Sequence, residues 1–444
     1  MLFWSKLKIT TVSKISLGWD KTNDNMKKTI FTFSLLCCLV LLVWLAAFFW
    51  KNLRGAGPAL KSPAADIVRL IEKPDAEAPD IPLKLQTGFS ISIFAKGLKG
   101  PRVMILDPAD TLLVSVPSQG KVVALPDRDK DGRADSIVTV ADGLGRPHGM
   151  AFRCAPDCVL YIAEEDQVGV YSYNPKTMKA VKQKKIADLP AGGGHLTRTL
   201  LFLPRPDDDQ LLVSVGSSCN VCIESDRRRA KVLVVSARGG VLRTFASGLR
   251  NPVFMTIHPE TKKVWATEMG RDLLGDDLPP DEINIIDKGR NYGWPFCYGK
   301  NVHDDDFDPA MKKLCKEPET YPSHIDIPAH SAPLGLSFFP EDGWPAGFRN
   351  NLLVAYHGSW NRSVPTGYKI VRYRLDGSGN FMGVDDFVSG WLTKDGTALG
   401  RPVDIMVRPG GMIFVSDDKA GVIYRITRKS AENKLSQKVL LSLK

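Results

Sequence analysis

One phrase recurs six times along this chain and limits what it can fold into. A glycine- or histidine-led turn leads into a short apolar run. A Pro/Asp/Gly turn follows, then a second apolar run ending in small or acidic residues. The copies are residues 97–116 (GLKGPRVMILDPADTLLVSV), 143–164, 194–216, 248–268, 330–357 and 400–417. The first four begin at Gly97, Gly143, Gly194 and Gly248, which are 46, 51 and 54 residues apart. Period-2 apolar runs between turn residues read as strands, and self-similarity at this period is the mark of a repeat architecture. Each copy supplies two strands. Intervening segments such as 168–173 and 422–426 supply more, giving four-stranded units. Repeated radially, such units make a β-propeller, which leaves few strand edges exposed. Two stacked β-sandwiches would not repeat one phrase six times. The longer late spacings are read as inserted loops at 297–315 and 381–397. The expectation is an all-β, six-bladed propeller over residues 81–428, preceded by one N-terminal transmembrane helix.

In a propeller, equivalent loops gather at one end of the channel. The copies open with Arg146 and His148, with His195, Thr197 and Arg198, with Arg250 and Asn251, with His330 and Ser331, and with Arg401 and Asp404. One linear repeat therefore sets a ring of His and Arg on one face. A buried cationic ring facing nothing is costly, and an anionic ligand would complete it. The densest polar stretch, residues 248–299, carries Arg250-Asn251-Pro252, then Met269-Gly270-Arg271 after a strand-like run. An acidic loop (Asp276, Asp277, Asp281, Glu282) and Gly289-Arg-Asn-Tyr-Gly-Trp-Pro295 follow. Polar groups massed after a buried strand mark a site more often than a scaffold.

Charge places the basic residues. The net charge is +10, but residues 1–62 hold nine Lys/Arg against two Asp/Glu, so +7 of it belongs to that segment. The body carries no basic stripe, which argues against nucleic acid. Residues 30–50 form 21 uncharged residues, enough for one helix across a bilayer. Lys6, Lys8, Lys14, Lys21, Lys27 and Lys28 precede it and only Lys51 and Arg54 follow closely. The positive-inside rule then leaves residues 1–29 as a basic cytoplasmic arm, with the body in the periplasm. A cleaved signal peptide starting at Met26-Lys-Lys is the rival. The apolar run is long for a signal core and lacks a small-x-small cleavage site, so an inner-membrane, single-pass anchor is favoured. Residues 51–80 read as a linker and 429–444 as a basic tail, and a body beginning near residue 60 is expected to fold alone.

Of eight cysteines, Cys37 and Cys38 lie in the anchor. The rest form near pairs, Cys154/Cys158, Cys219/Cys222 and Cys297/Cys315, which on an exported body suggests three disulfides. Cys219-Asn-Val-Cys222 also has the spacing of a redox pair. No His follows it and no second pair completes a zinc site.

These motifs together resemble the pyrroloquinoline quinone (PQQ)-dependent glucose/sorbosone dehydrogenase family over about residues 85–427. The resemblance rests on Gly-His195-Leu-Thr-Arg, Gly-Leu-Arg250-Asn251-Pro and Glu268-Met-Gly270-Arg271 with Asp281-Glu-Ile-Asn284. Gly289-Arg-Asn-Tyr-Gly-Trp-Pro295, His357-Gly-Ser-Trp-Asn-Arg362 and Arg401-Pro-Val-Asp404 extend it. It implies a six-bladed propeller, PQQ and Ca²⁺ as cofactors, a sugar as substrate and a respiratory quinone or cytochrome as electron acceptor. In it, His195 would be the general base, and Arg250 would polarise the hydride-accepting carbonyl with Asn251 beside it. The carbonyls of Gly270 and Arg271 would bind Ca²⁺, and Arg401 and Arg362 would pair with cofactor carboxylates. The residue types suit the chemistry: a tricarboxylate prefers arginine forks, and a histidine serves as base near neutral pH. Departures from the family pattern fall at Gly194, where an acid precedes the base, and at Leu144, Val403 and Arg271. They leave sorbosone-type or another aldose specificity open. A calcium-dependent propeller lactonase or hydrolase, or a non-enzymatic binding module, is the alternative.

Asp127-Arg-Asp-Lys-Asp-Gly132-Arg-Ala-Asp135 matches half of a calcium loop, but Val138 stands where a bidentate Glu is needed, so a hairpin tip is an equal reading. His303-Asp-Asp-Asp-Phe-Asp308 reads as a solvated loop, and His258 and His324 as loop histidines. His330, His357 and Trp360 are candidates for the substrate pocket.

Overall fold

Each copy of the phrase becomes the first two strands of a four-stranded antiparallel sheet. In the computed structural model, which describes residues 19–61, 82–154 and 157–429, six such sheets form the body. The leading pairs are Met104–Leu106 with Leu112–Val116, Met150–Cys154 with Cys158–Ala163, and Leu200–Phe202 with Gln210–Val215. Then come Pro252–Ile257 with Val264–Glu268, Pro333–Phe338 with Leu352–Tyr356, and Pro402–Arg408 with Met412–Asp417. The first strand of each sheet touches the first strand of the next, and the last touches the first. The sheets are therefore blades of a closed six-bladed β-propeller.

The recurring Leu-Leu-Val-Ser-Val has a mechanical reason. Its apolar residues fill the inter-blade core: Leu112, Leu113, Val114 and Val116 are at most 2% exposed. Its serine satisfies a backbone donor where the first strand begins. Ser115 Oγ accepts from Val103 N, Ser214 Oγ from Thr199 N and Ser416 Oγ from Asp404 N, each at 3.0 Å. A buried N–H left unpaired there would be penalised in each of these three blades.

The sixth blade is closed by a strand from the start of the body. Phe89–Ala95 pairs with Val422–Arg428 as its outermost strand. The fifth blade gains a short fifth strand, Lys84–Leu85, against Phe381–Ser389. That corrects the reading of 381–397 as an inserted loop: Phe381–Ser389 is the fourth strand of its blade. It was hidden because an outermost strand exposes one face to solvent, and Phe381, Met382 and Val384 are indeed exposed among Asp385 and Asp386. The 297–315 insertion is present. It forms the hairpin Cys297–Tyr298/Val302–His303 and a 3₁₀ turn, Pro309–Leu314, capped by Asp308.

The helix Trp19–Asn52 contains the expected span, and Met26–Asn52 is long and apolar enough to cross a membrane. It belongs to a separate compact unit, residues 1–51. The arm before residue 19, the linker from 62 to 81 and the tail from 430 lie outside the described residues. The start of the expected linker is not free chain. Gly57–Leu60 is a single helical turn, Ala56 and Pro58 are buried, and Lys419 Nζ donates to Lys61 O. A Cβ on Gly55 would lie 2.0 Å from the Arg362 carbonyl oxygen. Asn52 onward therefore groups with the propeller in one compact unit. A chain starting at Asn52 should melt cooperatively. A chain starting at Lys96, which lacks the closing strand Phe89–Ala95, should show no cooperative transition in thermal circular dichroism.

Candidate active site

The loop that carries His195 is tied down by two arginines. Arg198 is fully buried, donating to Pro190 O at 2.7 Å, His195 O at 2.9 Å and Thr197 O at 2.8 Å. Arg229 donates to Pro190 O at 3.2 Å and to Ala191 O and Gly192 O at 2.7 Å. Neither guanidinium has an ion-pair partner among the described residues. Both spend their donors on backbone carbonyls. Gly192 and Gly193 lie at φ +74° and +86°, so the loop needs residues without a Cβ.

His195 Nδ1 lies 3.0 Å from Ser217 O and 2.9 Å from Ser217 Oγ. A carbonyl only accepts, so Nδ1 carries the hydrogen and Nε2 presents a lone pair. Burial, then the nearby Arg250 charge, pushes the ring pKa down to about 3, so it is neutral at ordinary pH. Gly216 separates the ring from Asn251. A Cβ there would stand 2.6 Å from His195 Cβ and 2.8 Å from Asn251 Oδ1.

Arg250 is 4% exposed and its fork is fully engaged. Nε donates to Asn220 O at 2.9 Å and Nη2 to Asn220 Oδ1 at 2.9 Å and Asp272 at 2.8 Å. Nη1 donates to Gly270 O at 2.8 Å. Its own carbonyl accepts from Ser217 N at 2.7 Å. The buried acids of the central stretch are its scaffold. Glu268 accepts from Asn251 N at 2.9 Å, and Asp281 from Gly270 N at 2.9 Å and Ala332 N at 2.8 Å. Glu282 accepts from Gly299 N and Asn284 Nδ2. Arg271 pairs with buried Asp304 at 2.6 Å.

A second charged group faces the same end of the channel. Asp418 accepts from Arg102 at 2.8 Å and lies 2.9 Å from His357 Nε2. Burial pushes its carboxyl up, but His357 and Arg102 outweigh this and hold it low. Burial, then Arg401, lowers His357 to about 4. Arg401 donates to His357 O at 2.9 Å and Gly358 O at 2.6 Å, 5.7 Å above the Tyr368 ring. A cavity of about 330 Å³ joins this group to the His195 loop, lined by Arg102, Ser118, His148, Leu196, Thr197 and Asp418 among others.

The structure thus brings His195, Arg250, Asn251 and Gly270 into one bonded set, with Arg401 in the facing group. Arg362 stands elsewhere on the rim, its fork on Asp276 O, Ala329 O and Asp277. His330 is buried against Gly275 O at 2.7 Å, Arg146 points to Glu165, and Trp360 is 39% exposed. His148 is buried at the wall of this cavity, its ring edge-on to Phe254. His258 accepts from Glu260 N and Thr261 N in its own turn, and His324 Nε2 lies 2.8 Å from Gly379 O of the fifth blade. The expected pairs Cys154–Cys158, Cys219–Cys222 and Cys297–Cys315 are all disulfides. The Asp127, Asp129 and Asp131 carboxylates lie within 4.8 Å of one another on a blade-one hairpin away from this set. Sequence reasoning missed Ser217, Asn220, Arg102 and Asp418. Arg102 carried a signal: it follows Pro101 in the repeat phase where His148 follows Pro147.

A closed six-bladed propeller with an arginine- and histidine-lined cleft on one face defines the class. The chain belongs to the TrAA12-like family, whose model matches residues 83–429. An uncharacterized protein of Borreliella burgdorferi is 31% identical over 356 residues, which is 78% of this chain and 90% of that protein. A pyrroloquinoline quinone-dependent pyranose dehydrogenase of Coprinopsis cinerea is 24% identical over 422 residues, covering 80% of this chain but 56% of the longer relative. The calcium structure of the family AA12 enzyme of Trichoderma reesei shares the fold, with TM-score 0.68 and 21% identity over 81% of this chain and 99% of that one.

The hydrogen-bond geometry makes a solution prediction. Between pH 5 and 8, ring ¹⁵N shifts of His195 in the cofactor-free protein should be those of a neutral ring protonated at Nδ1. A titration near the ordinary value of 6.5 would show a solvated ring without this clamp.

Proposed function

We propose that this chain is a PQQ- and calcium-dependent sugar dehydrogenase of the sorbosone or aldose type, oxidising an aldose or aldehyde sugar at C1. The observation that carries this is the set around Gly216: a neutral His195 with Nε2 open, beside Arg250 and Asn251. Relatives named as PQQ-dependent sugar dehydrogenases support the reading.

The donor set fits such a cofactor. A tricarboxylate matches guanidinium forks better than ammonium groups, and Arg102 and Arg401 present guanidinium groups at this face, with Arg362 on the rim; Arg250, its donors taken by Asn220, Asp272 and Gly270, offers charge rather than a fork. The Gly270 carbonyl gives one lone pair to Arg250 and keeps a second for a hard cation, with the Arg271 carbonyl next in the chain. PQQ with Ca²⁺ would supply a polarised carbonyl that accepts hydride. The chain does the rest. His195 Nε2 takes the proton of the C1 hydroxyl, while Ser217 holds Nδ1–H and so keeps Nε2 in line. Arg250, fixed by Asn220 and Asp272, places positive charge where negative charge grows. The glycines before His195 let the loop lie close to a flat ligand.

His195→Gln should leave PQQ and Ca²⁺ binding nearly intact and lower turnover by about 10²–10⁴. Arg250→Ala should weaken cofactor binding as well as turnover. A folded His195→Gln variant with wild-type turnover would remove His195 from the mechanism. Purified protein given PQQ and Ca²⁺ should reduce an artificial dye with at least one sugar of a panel. No dye reduction with any sugar would favour a hydrolase or a binding module.

The helix would anchor the protein in the inner membrane, with the propeller in the periplasm passing electrons to a respiratory quinone or cytochrome. The lysine asymmetry about residues 30–50 supports this orientation. A reporter fused at the C-terminus should be active only outside the cytoplasm, and activity inside would reverse the topology.

A further inference from the structure

We infer that residues Ser217–Cys222, closed by the Cys219–Cys222 disulfide, form a positioning clasp that sets both His195 and Arg250. The inference rests on the proposed dehydrogenase for its catalytic meaning. Its geometry is independent of that.

One end of the segment controls the ring. Ser217 is fully buried and receives His195 Nδ1 on both its carbonyl and its hydroxyl oxygen, at 3.0 and 2.9 Å. The hydroxyl can accept from the ring because its own hydrogen is directed to Cys219 O, 2.7 Å away. The Cys219 carbonyl thereby decides which way the hydroxyl points, and so reinforces the tautomer that leaves Nε2 free. Two bonds from one residue to one ring nitrogen hold its position and tilt more tightly than one.

The other end controls the guanidinium. Asn220 accepts Arg250 Nε on its carbonyl and Nη2 on Oδ1. Its Oδ1 also accepts Asp272 N at 2.8 Å, and its Nδ2 donates to Asp272 O at 3.0 Å. Its Oδ1 is thus saturated, and the O and N assignment follows from the partners. Asp272 in turn pairs with Arg250 at 2.8 Å, closing a three-residue ring. Between these ends lies Ser218, whose N–H and hydroxyl are both taken by Glu224 just beyond the disulfide. The residues that orient the two partners are three apart in sequence, and the Cys219–Cys222 disulfide closes the short loop that contains Asn220. Without that bond, four residues of irregular backbone would hold two catalytic partners through hydrogen bonds alone.

The test uses Cys219→Ser/Cys222→Ser, Ser217→Ala and Asn220→Ala in the full chain. For each, ¹⁵N ring shifts of His195 are read on cofactor-free protein, and kcat and KM on enzyme loaded with PQQ and Ca²⁺. The disulfide-free variant should lower kcat about tenfold with sugar KM little changed, since misplacement by a fraction of an ångström suffices for that. It should also mix the His195 tautomers. Ser217→Ala should mix the tautomers without weakening PQQ binding, and Asn220→Ala should weaken PQQ binding without changing the tautomer. Adding Ser217→Ala to the disulfide-free chain should cost less than the product of the separate losses. Wild-type tautomer and kcat in a folded disulfide-free variant would overturn the clasp, as would fully multiplicative losses. If the disulfide-free chain does not fold, the two single variants decide: identical effects of both on tautomer and PQQ affinity would overturn the division of roles. Should no sugar be oxidised by the wild type, the dehydrogenase reading fails, while the ring shifts still decide the clasp.

Discussion

The strand pairing of Phe89–Ala95 with Val422–Arg428 is the constraint on which the rest depends. A propeller site belongs to no single blade. His195 comes from the opening of the third, Arg250 and Asn251 from the fourth, Arg401 from the sixth and Arg102 from the first. Their separations are set by the closure of the ring and not by any local element. Joining the two ends of the body in one sheet makes that closure a matter of backbone hydrogen bonds between residues more than three hundred positions apart. It also removes the exposed edges that an open array of blades would present.

Buried charge around the channel is arranged to hold backbone. Asp281, Glu282, Asp404 and Asp417 are each raised to about 7, burial being the largest cause. All accept backbone N–H groups: Asp281 those of Gly270 and Ala332, Glu282 that of Gly299, Asp404 that of Met104, Asp417 that of Arg401. A carboxyl raised in this way binds its proton more tightly folded than unfolded. It adds stability below its unfolded value near 4 that is lost as pH rises through 7. His195, at about 3, and His357, at about 4, work in the opposite sense, because the unfolded chain takes up protons that the folded one refuses below 6.5. Between pH 4 and 6.5 the two sets oppose each other, which flattens the dependence of stability on pH.

The blades were legible because each copy had to bury the same two strands, and the six phrases fall on six leading strand pairs. The outermost strands were harder. Phe381–Ser389 carries Asp385 and Asp386 beside exposed Phe381 and Met382, so it has the composition of a loop while having the hydrogen bonds of a strand. The strand Phe89–Ala95 gave no hint that it closes the sixth blade, since nothing local records a partner that distant. At the candidate site, the residues that the sequence singles out are those in the repeat phase, including His195, Arg250 and Arg401. Ser217 and Asn220 were not, because they act from the loop after the second strand of a single blade, where the repeat imposes no type. A serine bound to a histidine has no sequence signature. The adjacent cysteine pair was visible only as a disulfide or redox pair, with no indication that its loop carries the partner of Arg250.

The electrostatics of His195 make its basicity depend on the charge placed beside Arg250. In the absence of an anion, Arg250, Arg198 and Arg229 all disfavour a proton on the ring, and burial adds to them. Such a ring is neutral but weakly basic, which makes it a poor proton acceptor. An anion placed against Arg250 and Arg401 offsets part of that positive field and lifts the ring back towards its ordinary value. On the proposed mechanism, the base would then be strongest only with the hydride acceptor in place. Arg198 and Arg229 matter here for a second reason: their donors are spent on the carbonyls of Pro190, Ala191 and Gly192, so their charge cannot move to follow a ligand. The fixed part of the field keeps the ring neutral, and the part that the ligand cancels sets how well it accepts the proton.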